Sequence, residues 1–366
     1  MQTITQSMNP LHSSFIEHQL SGRYICNTHI EPLLSVYNTT VIGHSEAGLP
    51  IYRICTGAGK TKVLMWSQMH GNESTTTKSV FDLLRFLQSD KSLLETLQLS
   101  IIPILNPDGA KSYTRFNANQ VDLNRDAIDL SQVESRILRK EFDEFSPDYA
   151  FNLHDQRTIF GVEAKPATLS LLAPALDKER SFNDCRNKAA QLAASVFQGL
   201  QSSSIASQIG RFDDQFNPNC VGDAFQSLGV PTLLIEAGHY QDDYHREKTR
   251  TFVFNAYVLA LKAIGTSNFS DFSIYHSIPQ NKKIFFDYLF RNIRYVERGK
   301  EKTGDVGLQY KEVLNSNQIE FHPVFTAAGD LSKAYGHIEQ SNYENLEPFV
   351  FKIEESAQNL LKSLNL

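Results

Sequence analysis

The stretch Thr61-Lys62-Val63-Leu64-Met65-Trp66, followed at once by Ser67-Gln68-Met69-His70-Gly71-Asn72-Glu73, decides the fold. The apolar run reads as a buried strand, and it delivers His70 and Glu73 just past its carboxyl end. A second run, Tyr149-Ala150-Phe151-Asn152-Leu153, delivers His154 in the same way, and Pro231-Thr232-Leu233-Leu234-Ile235 delivers Glu236. In an open α/β sheet, functional groups collect at the carboxyl ends of the strands. Two imidazoles and a carboxylate suit a three-ligand catalytic zinc site with its fourth position left for water. A further carboxylate would then serve as the base.

Working outward, Thr40-Val41-Ile42-Gly43-His44 and Pro50-Ile51-Tyr52-Arg53-Ile54-Cys55 alternate about the turn Glu46-Ala47-Gly48-Leu49, which predicts a hairpin. Val80, Leu83, Leu84 and Leu87 lie at helical spacing within 74–87. Leu99 to Leu105 reads as a strand, and Asn106-Pro107-Asp108-Gly109 as a turn. Further helices are expected over about 131–145, 183–200 and 244–264. Strands alternating with helices predict an α/β fold, with a mostly parallel, doubly wound mixed sheet flanked by helices. Beyond Gly265 the texture changes to β-branched and aromatic runs at 284–296, 306–313 and 319–325, with a closing helix near 354–364. The expected organisation is a helical lead-in over 1–38, a catalytic domain over 39–270 and a small β-rich C-terminal domain over 275–366.

A chain of 366 residues, 41% hydrophobic and 21% charged, is long enough to bury a substantial core. A formal charge of −6 gives no electrostatic case for nucleic acid or an anionic membrane surface. No run reaches the roughly 18 apolar residues that a membrane span needs. The first residues lack a basic region and an apolar core, so no secretory signal is read there. Cys26, Cys55, Cys185 and Cys220 are scattered without a Cys-x-x-Cys pair, which suggests reduced thiols and a cytoplasmic location. Oligomeric state is not legible.

Further residues thicken the site. Arg115 follows Asn106-Pro107-Asp108-Gly109, and Val121-Asp122-Leu123-Asn124-Arg125 comes next. The ordered set over roughly 40–265 resembles the zinc metallocarboxypeptidases, the carboxypeptidase A-like or funnelin family, with succinylglutamate desuccinylase and aspartoacylase-type deacylases as relatives. That resemblance implies one zinc ion per chain, held by His70, Glu73 and His154. Asp122 would accept a hydrogen bond from a ligating imidazole. Asn124 and Arg125 would hold the free carboxylate of a peptide or acyl amino-acid substrate. Arg115 would stabilise the oxyanion, and Glu236 would take a proton from the attacking water and return it to the leaving amine.

Other readings of the same residues stand beside these. Taken alone, Arg125 is also a salt-bridged helix start, Arg115 a solvated loop charge and Asp122 an N-cap. Asp155 would point to the opposite strand face from His154. Asp213 and Asp214 read as a solvated acidic loop, and His239 and His245 as surface histidines. The family's mobile Tyr before the catalytic Glu has no counterpart in 210–218, so Phe216, Tyr240 and Tyr244 are the alternatives. For the whole chain, the expected activity is hydrolysis of a C-terminal peptide bond. N-acyl amino-acid deacylation, cleavage of murein peptides and an inert binding module are the alternatives.

Overall fold

The computed structural model describes residues 12–341, 343 and 347–364. The first eleven residues of the expected lead-in therefore lie outside the described residues. Asn27–Leu34 within that lead-in is helical.

A mixed eight-stranded sheet dominates the fold. Its strands are β1 (Asn38–His44), β2 (Pro50–Thr56), β3 (Thr61–Trp66), β4 (Leu97–Ile102), β5 (Tyr149–Asp155), β8 (Leu169–Leu172), β9 (Ile209–Arg211) and β10 (Thr232–Ala237). The short strands β6 (Phe160–Val162) and β7 (Lys165–Pro166) fall between β5 and β8 and belong to a second sheet. The order across the large sheet is β1-β2-β4-β3-β5-β10-β8-β9. The four central strands, β4, β3, β5 and β10, are parallel to one another.

Helices cover both faces, and the alternation along β3 shows why its sequence is apolar throughout. Val63 and Met65 join the core beneath the helices Thr75–Ser89, Asp184–Gly199 and Glu247–Thr266. Leu64 and Trp66 join the opposite core, with Leu138 and Phe142 of helix Val133–Phe145 and Phe225 of helix Val221–Ser227. A strand buried on both faces has no position for a polar side chain, so it reads as a continuous apolar run.

Asn106-Pro107-Asp108-Gly109 is not a free turn but the start of a short helix, Pro107–Ser112. The Asn106 side chain accepts from the Gly109 N–H at 2.9 Å, and proline at the first helical position needs no hydrogen-bond acceptor. The turn signal and the helix-start signal use the same residues, and here the cap wins.

Past helix Ser273–Ser277 comes the β-rich C-terminal region. Strand β11 (Lys282–Lys283) pairs with β6, and β12 (Phe285–Glu297), β13 (Lys300–Asn315), β14 (Gln318–Gly329) and β15 (Tyr335–Gln340) form a second large sheet. Strand β16 (Phe349–Val350) pairs with β12, and helix Gln358–Ser363 closes the third core, where Phe290, Leu308, Phe325 and Phe351 meet. Tyr288, Phe290, Tyr295, Phe325 and Phe351 of this region are core residues, while Tyr335 is exposed. The two sheets are joined at Asp287, a fully buried carboxylate. It accepts from Tyr244 Oη at 2.9 Å, Thr158 Oγ1 at 3.2 Å and the Tyr310 N–H at 2.7 Å.

Candidate metal centre and its cavity

Strand β5 carries His154 and strand β10 carries Glu236, and these two are direct partners in the parallel ladder. His70 and Glu73 reach the same place from the loop after β3, where a tight turn runs from His70 O to the Glu73 N–H. That loop is held by Gln68, a buried residue with left-handed backbone (φ 45°). Its amide donates to the carbonyls of Ile25 and Gly71, and its Oε1 accepts from Thr77 Oγ1. These contacts confine a conformation that is otherwise costly for a non-glycine residue.

His70, Glu73 and His154 bring one ligand atom each within 4.8 Å of one another, and all three side chains are buried. Glu73 Oε1 lies 2.9 Å from His70 Nδ1, and its Oε2 lies 2.8 Å from His154 Nδ1. The two Nδ1 atoms are only 3.1 Å apart. Two imidazole nitrogens aimed at one point beside a carboxylate fit a cation with nitrogen and oxygen ligands, the donor set that suits zinc. The other ring nitrogen of His70 is 2.9 Å from Asp122 Oδ1. Such an outer carboxylate fixes the tautomer and leaves Nδ1 free for a metal. The residues fit a zinc ion.

Asp122 also accepts from the Asn124 N–H at 2.9 Å, so the imidazole partner and the N-cap are one residue. Arg115 donates from Nε to Asp122 Oδ2 at 3.0 Å and approaches Glu73 Oε1 at 3.4 Å. It is therefore tied to the metal centre rather than loose in solvent. Burial works to raise the Glu73 and Asp122 carboxyls, yet the His70 imidazole beside each holds both well below the ordinary range. Burial, then the charges of Glu73 and Asp155, push the Glu236 carboxyl well above it. Burial, joined by the charges of His70 and Arg115, depresses His154 against the pull of Glu73, while burial of His70 is outweighed by Glu73 and Asp122.

A cavity of about 780 Å³ opens over these residues and also takes in Arg115, Asn124 and Arg125. Arg125 Nη1 donates to the Asn124 carbonyl at 2.5 Å and to Cys220 Sγ at 2.9 Å, and Asn124 Oδ1 accepts from the Val221 N–H at 3.0 Å. All of the expected site residues except Asp122 line this cavity, and Asp122 stands behind His70. Asp155 turns to the opposite strand face, as expected, and receives the Thr75 and Thr76 N–H groups at the start of their helix.

Several readings need correction. His239 is buried, not on the surface, and neither ring nitrogen has a hydrogen-bond partner among the described residues. Its ring packs on His337 of β15, a contact that sequence distance hides. His245 is exposed, as expected. Asp213 is solvated, but Asp214 receives buried Arg186 at 2.5 Å. Of the three aromatic alternatives, Phe216 lines the cavity. Tyr240 stacks on Phe252, and Tyr244 binds Asp287 at the junction of the sheets. The sequence reading missed Asp223, which lies in the cavity wall and whose carboxyl burial pushes up to about 7. It also missed Cys220, the partner of Arg125. Neither carries a local signal, since both arrive from a helix start remote from the motif residues.

Residues 34–153 match the zinc carboxypeptidase family, a span that holds His70, Glu73, Arg115, Asp122, Asn124 and Arg125. Probable carboxypeptidase 2 of Trichophyton verrucosum (strain HKI 0517) is 34% identical over 100 residues, 26% of this chain and 19% of that protein. Carboxypeptidase 2 of Trichophyton rubrum is 33% identical over 100 residues, with the same coverage. The matched segment is thus about a fifth of the length of these curated relatives. Among solved structures, a carboxypeptidase A from Helicoverpa armigera superposes with a TM-score of 0.54 at 14% identity, over 71% of this chain and 80% of that one. A metallo-carboxypeptidase from Burkholderia cenocepacia gives 0.52 at 17% identity, over 65% and 68%. These likenesses establish the fold. The chain therefore has a carboxypeptidase-like fold, and its segment 34–153 is similar to the zinc carboxypeptidase family.

Proposed function

We propose that the protein is a zinc-dependent hydrolase that removes a C-terminal residue from a peptide by attack of water on the amide. The convergence of His70, Glu73 and His154 opposite Glu236, with Arg125 in the same cavity, carries this reading. When bound, zinc supplies Lewis acidity and brings the pKa of its water toward about 7. His70, Glu73 and His154 would hold it, and Asp122 keeps the His70 ring in place.

Glu236 removes the proton from the attacking water and returns it to the leaving amine, a role suited to a carboxyl held above its ordinary range. Arg115, steadied by Asp122, turns its guanidinium to the oxygen on which negative charge develops. Arg125 and the Asn124 amide receive the substrate's terminal carboxylate, where a planar fork binds both oxygens. The four cysteines are unpaired, which supports the cytoplasmic reading. Among the described residues, no helix is long and apolar enough to cross a membrane.

N-acyl amino-acid deacylation is the second reading, favoured by the wall that the C-terminal sheet builds beside Glu73. One experiment tests both. Protein purified without added zinc is assayed for metal content, then for turnover of a peptide acid, its amide and an acyl amino acid. We expect one zinc per chain and cleavage of the acid but not the amide. Equal cleavage of acid and amide would remove Arg125 from substrate binding and end the exopeptidase reading.

A further inference from the structure

A second cavity of about 250 Å³ adjoins the first. It shares Glu73, Asp155, Gln156 and Arg157 with the larger one, but Asn124, Arg125 and Glu236 do not line it. Its walls come from three distant parts of the chain: Arg23 near the N-terminus, Arg246 before helix Glu247–Thr266, and Tyr310 to Glu312 of β13. If Arg125 holds the leaving residue, this cavity lies on the acyl side of the metal centre.

Its polar groups do not balance. Glu312 Oε2 is already taken by Arg23 Nη2 at 3.3 Å and by the Tyr113 hydroxyl. Asp155 is committed to the Thr75 and Thr76 N–H groups, and Glu73 to the two imidazoles. The cations keep spare capacity. Arg246 is 1% exposed, and its Nη atoms reach only the carbonyls of Ala237, Gly238 and Gln156. No carboxylate among the described residues forms an ion pair with it, and the Nε atoms of both Arg23 and Arg246 are buried without a partner. Arg157 and Lys311 add two exposed cations at the rim. A buried guanidinium without a direct ion pair, as at Arg246, is costly, and a bound anion lowers that cost.

We propose that this cavity is a subsite for a carboxylate on the acyl side of the scissile amide, with Arg23 and Arg246 as its cationic wall. It would select an acidic residue, or another short acyl group ending in a carboxylate, immediately before the bond. The volume supports a short group, because it falls below the roughly 300–1,000 Å³ of ordinary small-molecule sites. The assignment of the acyl side rests on the carboxypeptidase reading above.

The test uses the zinc-loaded full chain and paired substrates with the same leaving residue, differing only in Glu or Gln before the scissile bond. We expect kcat/KM at least tenfold higher for Glu, and Arg23→Gln to bring the two within threefold. Equal values in the wild type, or an unchanged preference in folded Arg23→Gln, would overturn the subsite. If Arg23→Gln does not fold, Arg157→Gln combined with Lys311→Gln takes its place under the same criteria. Glutarate titrated by calorimetry separates the two readings. It is measured in zinc-loaded Arg125→Gln and again with Arg23→Gln added. Tenfold weaker binding on adding Arg23→Gln supports the subsite even if no substrate is hydrolysed, in which case only the carboxypeptidase reading fails. Unchanged binding overturns the subsite.

Discussion

The large sheet and the C-terminal sheet treat polar side chains in opposite ways. In the large sheet, β5 and β10 are largely apolar, Asn152 apart, and present His154 and Glu236 at their carboxyl ends. In the C-terminal sheet, polar groups are gathered where it meets its neighbour. Asp287 is locked there by Tyr244, Thr158 and Tyr310, and Glu312 by Arg23 and Tyr113. The first sheet exposes chemistry, while the second shapes the space beside it. A polar side chain at a strand end keeps its reactivity because part of its surroundings is open, whereas one in a seam is consumed by its partners.

Substitutions at the two places should therefore fail differently. The largest effect is expected at Glu236→Gln, which keeps the shape and removes the base. The kcat should fall by about 10²–10⁴-fold, with KM and zinc content near the wild type, measured by steady-state kinetics and metal analysis. Near-normal turnover would move the base elsewhere and blur the contrast between the sheets.

Asp287→Ala should act on stability instead. It strands donors from Tyr244, Thr158 and Tyr310, and each buried donor left unpaired costs about 1–3 kcal/mol. The denaturant midpoint should drop while the zinc content of the folded protein holds. An unchanged midpoint would show that the seam contributes nothing.

Asp122→Asn lies between these extremes. It preserves the N-cap acceptor but loses the charge behind His70, so zinc affinity should weaken by about 10–100-fold. Competition with a chelator measures this, and wild-type affinity would reduce Asp122 to its capping role.

The smallest effect is a slope with pH. Burial pushes the Asp223 carboxyl up to about 7. A raised folded-state value means that its contribution is full below about pH 4 and is lost as the pH rises through about 7. Asp223→Asn should flatten the loss of stability between these limits, which at its steepest is about 1 kcal/mol per pH unit. Parallel slopes for both proteins in denaturant titrations across that range would contradict the assignment.

The clustering of His70, Glu73 and His154 was legible because each follows a run whose apolar character is forced by burial on both faces. Leu64 and Trp66 had to be apolar for one core, Val63 and Met65 for the other. His70 therefore stands out. The same logic gave Glu236 after Pro231–Ile235, and both sheet and site followed. Asn106 was half legible: its residues signal a turn and a cap equally, and only the register of the following helix decides. The second cavity was not legible at all. Arg23 and Glu312 meet across 289 positions, and nothing near either marks the pairing. His239 failed for a related reason, since its burial depends on His337 of a strand nearly a hundred residues away.

The loop that carries His70 also sets a limit on how this chain can change. A side chain at Gly71 would strike the backbone of Gly109 and Ala110, with the nearest atom only 1.9 Å from its first carbon. Asn106 reaches back across the same gap, donating through its side chain to the Met69 carbonyl at 3.2 Å and through its N–H to Gln68 O at 3.0 Å. The two loops are pressed together as one part. Any side chain at 71 therefore requires the backbone of 109–110 to move. A lineage that remodels the 106–112 helix shifts His70 in the same step.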